Sequence, residues 1–263
     1  MFRKLLYALT WTPAKMLVRA VLSYLGRGWV RVHGSGNVPR RGGVLICPNH
    51  VSDADPAAIA VTCPRATPYF VAKRELFDIK YLGYWFRLWR VLPIQRDSAD
   101  RAALRRVEEL LKAGEAVILF PEGGGNPDAT LQPLHAGALL VALRAKVPVV
   151  PVALRNTAAV WKYSDVLPRR VDSPRPISVT FGEPLDFSDL WGKPGATETA
   201  TRRLTETLAA MLGQPVPEGK PKNRSSEENT NPSLASAGPG SSGNFVPPLE
   251  AGTTQRVPGN PAD

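Results

Sequence analysis

The chain has 263 residues, 43% of them hydrophobic, and a formal net charge of +10. This length suits one domain of about 200 residues plus a further segment, with enough apolar residues for a core. The positive charge favours an anionic partner, and the absence of zinc-finger spacing, basic-zipper heptads and aromatic RNA-binding signatures argues against nucleic acid. Two cysteines, Cys47 and Cys63, are too few for a disulfide framework, so we expect core thiols and a reducing compartment.

The first 28 residues combine apolar and basic character. Residues 1–48 contain eight Lys or Arg and no Asp or Glu. Lys15 and Arg19 interrupt the apolar residues too often for a spanning helix of about 20 apolar residues, and no signal-peptide cleavage site stands out. We predict one or two interfacial helices over residues 1–28, because a basic, apolar helix is typical of a membrane surface. An ordinary helix packed on the core is the alternative.

Short apolar runs alternate with helical periodicity along the middle of the chain. The runs predict strands at 29–32, 43–47, 69–72, 91–95, 116–120, 147–153 and 177–181. The periodic stretches predict helices at 98–113, with Ser98 as its N-cap, at 136–146 and at 197–212. We therefore predict a single layered α/β domain over residues 29–213, with a mixed or mostly parallel sheet flanked by helices. Residues 214–263 are rich in Pro, Gly and Ser, and we predict that they are disordered.

The strongest chemical signal is an Asn-His-x-Ser-x-x-Asp-Pro sequence directly after the run at 43–47. It places His50 just past a strand and Asp55 where a helix begins. A neutral imidazole takes the proton of a hydroxyl as that hydroxyl attacks a thioester carbonyl, and a carboxylate on its other nitrogen fixes the tautomer. The pair works in this way only if the turn brings Asp55 back to His50.

A glycine-rich turn and two cations are further candidates. Glu122, Gly123 and Gly124 follow the run at 116–120, and backbone N–H groups in such a turn can cradle a phosphate or an oxyanion. Arg96 follows the run at 91–95 and Lys73 follows the run at 69–72, and either cation can pair with a phosphate.

In this order and spacing, the elements resemble the glycerolipid acyltransferase family, which includes the 1-acylglycerol-3-phosphate acyltransferases. The first family motif, Asn-His, four residues and Asp, is matched by Asn49, His50, Ser52, Asp55 and Pro56. The second motif ends in an arginine, matched by Arg96. The third, Phe-Pro-Glu-Gly, is matched at 120–123, where Pro121 supports it, and the fourth, a Val-Pro strand, at 150–152.

The resemblance implies that His50 is a general base and Asp55 its partner, with no metal and no cofactor. It implies that Arg96 and Glu122 belong to the phosphate site of the acceptor, and we expect Gly123, Gly124 and Lys73 to contribute there. The implied donor is acyl-CoA or acyl-carrier protein, and the implied product is phosphatidic acid. The protein is expected to lie as a peripheral or monotopic enzyme on the cytoplasmic face of a membrane, in contact with anionic lipids.

The third motif departs from the family pattern, which leaves the acceptor open. After Phe-Pro-Glu-Gly the family usually has Thr or Val and then Arg, where this chain has Gly124 and Gly125. The alternatives are another acceptor, such as a lyso-ornithine lipid or a glycolipid, or a lipid-binding relative without catalysis. A metal hydrolase built on His50, Asp53 and Asp55 lacks further ligands at recognisable spacing. We expect His135 to be structural or to lie at the edge of the groove.

Overall fold

The computed structural model describes residues 2–95, 100–126, 128–163, 165, 167–219 and 221, without the side chains of residues 2–9 and Leu82. Arg96, Ser98 and residues 222–263, which make up most of the tail predicted to be disordered, lie outside the described residues.

Seven strands of the described chain form one sheet in the order β1-β7-β6-β2-β5-β3-β4. All neighbours in the sheet are parallel except β6 and β7, so the predicted α/β class with a mostly parallel sheet is confirmed. The strands are β1 (Arg31–His33), β2 (Val44–Pro48), β3 (Tyr69–Lys73), β4 (Val91–Ile94), β5 (Ala116–Ile118), β6 (Val149–Arg155) and β7 (Ser178–Phe181).

The helices of the described chain include the three that the periodicity predicted, as α4, α5 and α7, and the helix expected to begin at Asp55, as α2. Their bounds are α1 (Phe2–Leu25), α2 (Asp55–Thr62), α3 (Lys80–Leu88), α4 (Arg101–Lys112), α5 (Gly137–Ala145), α6 (Thr157–Val160) and α7 (Ala196–Leu212). The N-terminal segment is one continuous helix, with Pro13 inside it. The sequence did not predict α3, because its Tyr, Trp and Phe residues favour strands as much as helices.

Most predicted strand boundaries differ by one or two residues from those of the structure, and two of the differences, at α4 and β5, have a clear physical reason. The N-cap of α4 is Asp100 and not Ser98, because the Asp100 side chain accepts the N–H of Ala103 at 2.9 Å. Strand β5 ends at Ile118, two residues before the predicted end, and the chain then turns so that the N–H of Gly123 donates to the carbonyl of Phe120.

Helices cover both faces of the sheet, which explains why its central strands are apolar at every position. In β2, Leu45 and Cys47 face the layer formed by α4, α5 and α7, whereas Val44 and Ile46 face α1 and α2. All four side chains are fully buried. Cys47 and Cys63 are both buried free thiols, as expected.

Helix α1 buries only part of its circumference. Trp11 and Leu22 pack into the core, with the Trp11 ring 5.5 Å from that of Trp89. The opposite side is exposed and apolar, and includes Met16, Leu17, Val21 and Tyr24. Among the residues described, no helix is both long enough and apolar enough to cross a membrane.

Candidate active site

The parallel strands bring the predicted site residues to one edge of the sheet. His50 follows β2, Glu122 follows the neighbouring β5, and Lys73 is the last residue of β3, which pairs with β5. Because parallel strands end at the same edge, residues that follow them come together there. Arg96 lies outside the described residues.

The turn after β2 brings Asp55 back to His50, as the proposed chemistry requires. One carboxylate oxygen, Oδ2, lies 3.0 Å from Nδ1 of His50. The same oxygen accepts the backbone N–H groups of Val51 at 2.6 Å and of Ser52 at 2.8 Å. Asp55 is fully buried at the start of α2, where helix geometry favours a negative charge. A carboxylate here places the ring proton of His50 on Nδ1, which leaves the lone pair of Nε2 for a substrate proton.

Glu122 holds the backbone on which His50 sits. Its Oε1 accepts the N–H of His50 at 2.6 Å, and its Oε2 accepts the N–H of Gln132 at 2.9 Å. The backbone carbonyl of His50 also has a partner, because it accepts the N–H of Asn126 at 3.1 Å. Both carboxylate oxygens of this buried side chain are thus engaged by the backbone, so Glu122 positions His50.

Two further motif residues connect the His50 loop to distant parts of the chain. The amide of Asn49 donates to the carbonyl of Leu154 at 3.2 Å and accepts its N–H at 2.7 Å, which joins the loop to β6. The hydroxyl of Ser52 accepts the N–H of Ala54 at 3.0 Å and donates to the carbonyl of Trp161. The sequence showed neither distant partner, because they lie 105 and 109 positions away and have no motif of their own.

The glycine-rich turn is packed closely against two side chains. Gly123 has a φ of +73°, and its N–H donates to the carbonyl of Phe120 at 3.2 Å. A Cβ at Gly123 would lie 2.8 Å from the ring of His135. The backbone N–H of His135 donates to the carbonyl of Pro121. His135 is therefore a packing residue of this turn, as expected from the sequence. Gly124 is buried beside it.

Aromatic rings surround the imidazole of His50. The ring of Phe120 lies 4.4 Å from it, and the ring of Tyr163 lies 6.1 Å from it at nearly a right angle. Tyr163 also covers Gly125 so closely that a Cβ at position 125 would overlap the phenol ring. The sequence analysis missed Tyr163, because its position between α6 and β7 carries no recognisable motif.

A cavity of about 290 Å³ lies beside the His50 loop, lined by residues that include Asn49, Val51, Leu154 and Arg155. His50 does not line it, so this cavity is not where the imidazole meets a substrate. Among the residues described, no three His, Cys, Asp or Glu side chains come together in a geometry that holds a metal ion.

Three sequence comparisons match this chain to acyltransferases. The acyltransferase family model matches residues 29–155. A Bacillus subtilis 1-acyl-sn-glycerol-3-phosphate acyltransferase is 27% identical over 182 residues, which cover 69% of this chain and 85% of that protein. A Streptococcus pneumoniae enzyme of the same name is 28% identical over 68% of this chain and 65% of its own length.

The fold agrees as well. The crystal structure of a 1-acyl-sn-glycerophosphate acyltransferase from Thermotoga maritima matches 76% of this chain and 81% of its own, with a TM-score of 0.56 and 24% identity. The matched residues 29–155 contain His50, Asp55 and the glycine-rich turn. The chain is therefore an acyltransferase, similar over residues 29–155 to the acyltransferase family and over about two thirds of its length to 1-acyl-sn-glycerol-3-phosphate acyltransferases.

Proposed function

We propose that the chain transfers a fatty acyl group from an acyl thioester to the free hydroxyl of 1-acylglycerol-3-phosphate, which gives phosphatidic acid. The hydrogen bond between Nδ1 of His50 and Oδ2 of Asp55 carries this proposal, because it prepares a base for a hydroxyl nucleophile. The names of the two bacterial relatives support the choice of acceptor.

In the proposed mechanism, Nε2 of His50 removes the proton of the acceptor hydroxyl as its oxygen attacks the thioester carbonyl. The new C–O bond gives a tetrahedral oxyanion, which collapses with cleavage of the C–S bond. The departing thiolate takes the proton back from Nε2, so the enzyme returns to its starting state. Asp55 stabilises the imidazolium that exists between the two proton transfers.

The proposed donor is acyl-CoA or acyl-carrier protein, and the proposed reaction uses no metal or cofactor. We place the phosphate of the acceptor near the same sheet edge, with Lys73, Gly123 and Gly124 as its surroundings. Arg96 is a further proposed partner from the sequence. Glu122 supports this site indirectly, through the His50 backbone.

We also propose that the protein binds peripherally to the cytoplasmic face of a membrane, through α1 and α3. The exposed apolar side chains of α1 lie on one face of the helix, beside the cations Lys15 and Arg19. In α3, Tyr81, Tyr84 and Trp85 are exposed as well, and aromatic residues favour the interface between lipid and water. A ring contact between Trp11 of α1 and Trp89, directly after α3, joins the two helices.

The test is an acyl-transfer assay on purified protein in mixed micelles, with palmitoyl-CoA, oleoyl-CoA and acyl-carrier protein as donors. Lysophosphatidate, a lyso-ornithine lipid and a lyso-glycolipid serve as acceptors, with His50→Ala beside the wild type. We expect transfer to lysophosphatidate that His50→Ala abolishes. Transfer to another acceptor alone would refute the acceptor, and no transfer from any donor would refute the catalytic proposal.

A further inference from the structure

Tyr163 and Gly125 form a matched pair. The Tyr163 ring occupies the space in which any side chain at position 125 would begin. Gly125 is buried, and its backbone follows Gly123 and Gly124 out of β5. The close approach therefore requires glycine at this position, because a single added carbon would have to displace the ring.

The segment that carries Tyr163 is attached to the His50 loop. Ser52 forms an isolated antiparallel bridge with Lys162, and its hydroxyl donates to the carbonyl of Trp161. The turn is closed by the N–H of Asp165, which donates to the carbonyl of Lys162 at 3.0 Å, and by Nε1 of Trp161, which donates to the carbonyl of Asp165 at 3.0 Å. The position of Tyr163 relative to His50 is therefore fixed by contacts of Ser52, two residues after His50, with Lys162 and Trp161, which directly precede Tyr163.

This placement puts the ring of Tyr163 6.1 Å from the imidazole of His50. The His50 side chain is 9% exposed, and its Nδ1 is engaged by Asp55. An acceptor hydroxyl must therefore reach Nε2 between the surrounding groups, which include Phe120 and Tyr163. The phenol ring of Tyr163 is therefore a neighbour of any group that reaches the imidazole.

We propose that Tyr163, seated on Gly125, is a specificity-determining residue that selects acceptors by the size of the head group. It admits a lysophospholipid whose phosphate carries no further alcohol and disfavours one whose phosphate is esterified to a second alcohol. This inference rests on the proposed function and names the acceptor class of the same site. In this proposal the selecting element is the ring, whose atoms also make the close contact with Gly125.

The test compares kcat/KM for two acceptors that share the same acyl chain, lysophosphatidate and lysophosphatidylglycerol. We expect Tyr163→Ala to lower the preference for lysophosphatidate by about tenfold, since the discrimination that a pocket achieves by shape is of this order. Tyr163→Phe is the matched control, because it keeps the ring, and we expect its preference to stay within about twofold of the wild type. A preference that Tyr163→Ala leaves unchanged would overturn the proposal, as would an equal loss in Tyr163→Phe.

A second pair of variants keeps the proposal testable if Tyr163→Ala is unstable. Gly125→Ala should displace the ring and lower both the preference and the melting temperature. Gly125→Ala combined with Tyr163→Ala should recover the melting temperature, because the overlap is gone, so the two changes should be strongly non-additive. Additive effects would show that the two residues do not act as a pair.

The outcomes separate this proposal from the proposed function. If the wild type transfers acyl groups and His50→Ala does not, but no Tyr163 variant changes the preference, only the role of Tyr163 is refuted. If the wild type transfers to no acceptor, the proposed function fails, and the acceptor class fails with it.

Discussion

The carboxylate of Glu122 accepts the N–H of His50 at 2.6 Å and joins the loop after β5 to the loop after β2. Its second oxygen accepts the N–H of Gln132. The position of the His50 imidazole therefore depends on a side chain that acts through the backbone.

We expect Glu122→Gln to lower kcat much more than it raises KM for the acceptor. The amide has one accepting oxygen, so one of the two backbone N–H groups would face an NH₂ group. The loss of one hydrogen bond to a charged group costs about 1.5–3 kcal/mol. Steady-state kinetics measure the change in kcat and KM, and thermal unfolding measures the loss of stability. Glu109→Gln, in an exposed ion pair on α4, is the control and should change neither value. A higher KM with an unchanged kcat would instead place Glu122 in substrate binding.

Asp55→Asn should keep the fold of the loop and lower kcat by about 10²-fold or more. The amide oxygen can still accept the N–H groups of Val51 and Ser52, but it carries no charge to stabilise the imidazolium of His50. Asp53→Asn, two residues away, is the control, and we expect activity close to that of the wild type. An equal loss in both variants would argue against the assigned pair and revive the metal-site alternative.

Removal of the Asn49 side chain should destabilise the protein. Asn49→Ala leaves the N–H and the carbonyl of Leu154 without their partner in the core, where each unsatisfied group costs about 1–3 kcal/mol. Urea unfolding should show a loss of about 2–6 kcal/mol for Asn49→Ala. Equal stability of the wild type and Asn49→Ala would mean that this link to β6 contributes nothing.

Replacement of the exposed apolar residues of α1 should weaken binding to anionic vesicles without unfolding the protein. We suggest Met16→Gln, Leu17→Gln and Val21→Gln together, since these side chains are exposed. Each buried apolar side chain contributes about 1.5–3 kcal/mol, so sedimentation with vesicles should fall by at least about tenfold. Trp191→Gln is the control, because Trp191 is an exposed apolar residue outside α1 and α3. Unchanged sedimentation would refute the proposed surface.

The two thiols should be unreactive in the folded protein. Burial raises the pKa of Cys47 and of Cys63, so both remain protonated where a free thiol, with a pKa of about 8.5, begins to ionise. Ellman's reagent at about pH 8 should label neither residue before unfolding and both after it. The unfolded state binds fewer protons above this pKa, so the stability should fall as the pH rises past about 8.5, and less so in Cys47→Ala. Rapid labelling of the native protein would contradict the buried positions.

The sequence predicted the fold and the pairing of His50 with Asp55 because both depend on patterns within short stretches of the chain. Alternating apolar runs and helical periodicity define the layers, and five positions separate the two side chains. The remaining site geometry depends on tertiary contacts. The motif residues Asn49 and Ser52 were recognised, but their partners on β6 and after α6 were not, and nothing local distinguishes Tyr163 from a surface tyrosine.

The His50 loop is fastened to three separate stretches of chain, by Glu122 after β5, by Leu154 at the end of β6 and by Trp161 after α6. We therefore expect turnover to depend on contacts between residues as far apart in the sequence as Asn49 and Trp161. During denaturation, enzymatic activity should disappear at the same midpoint as the secondary structure, so an activity assay would serve as a direct reporter of cooperative folding.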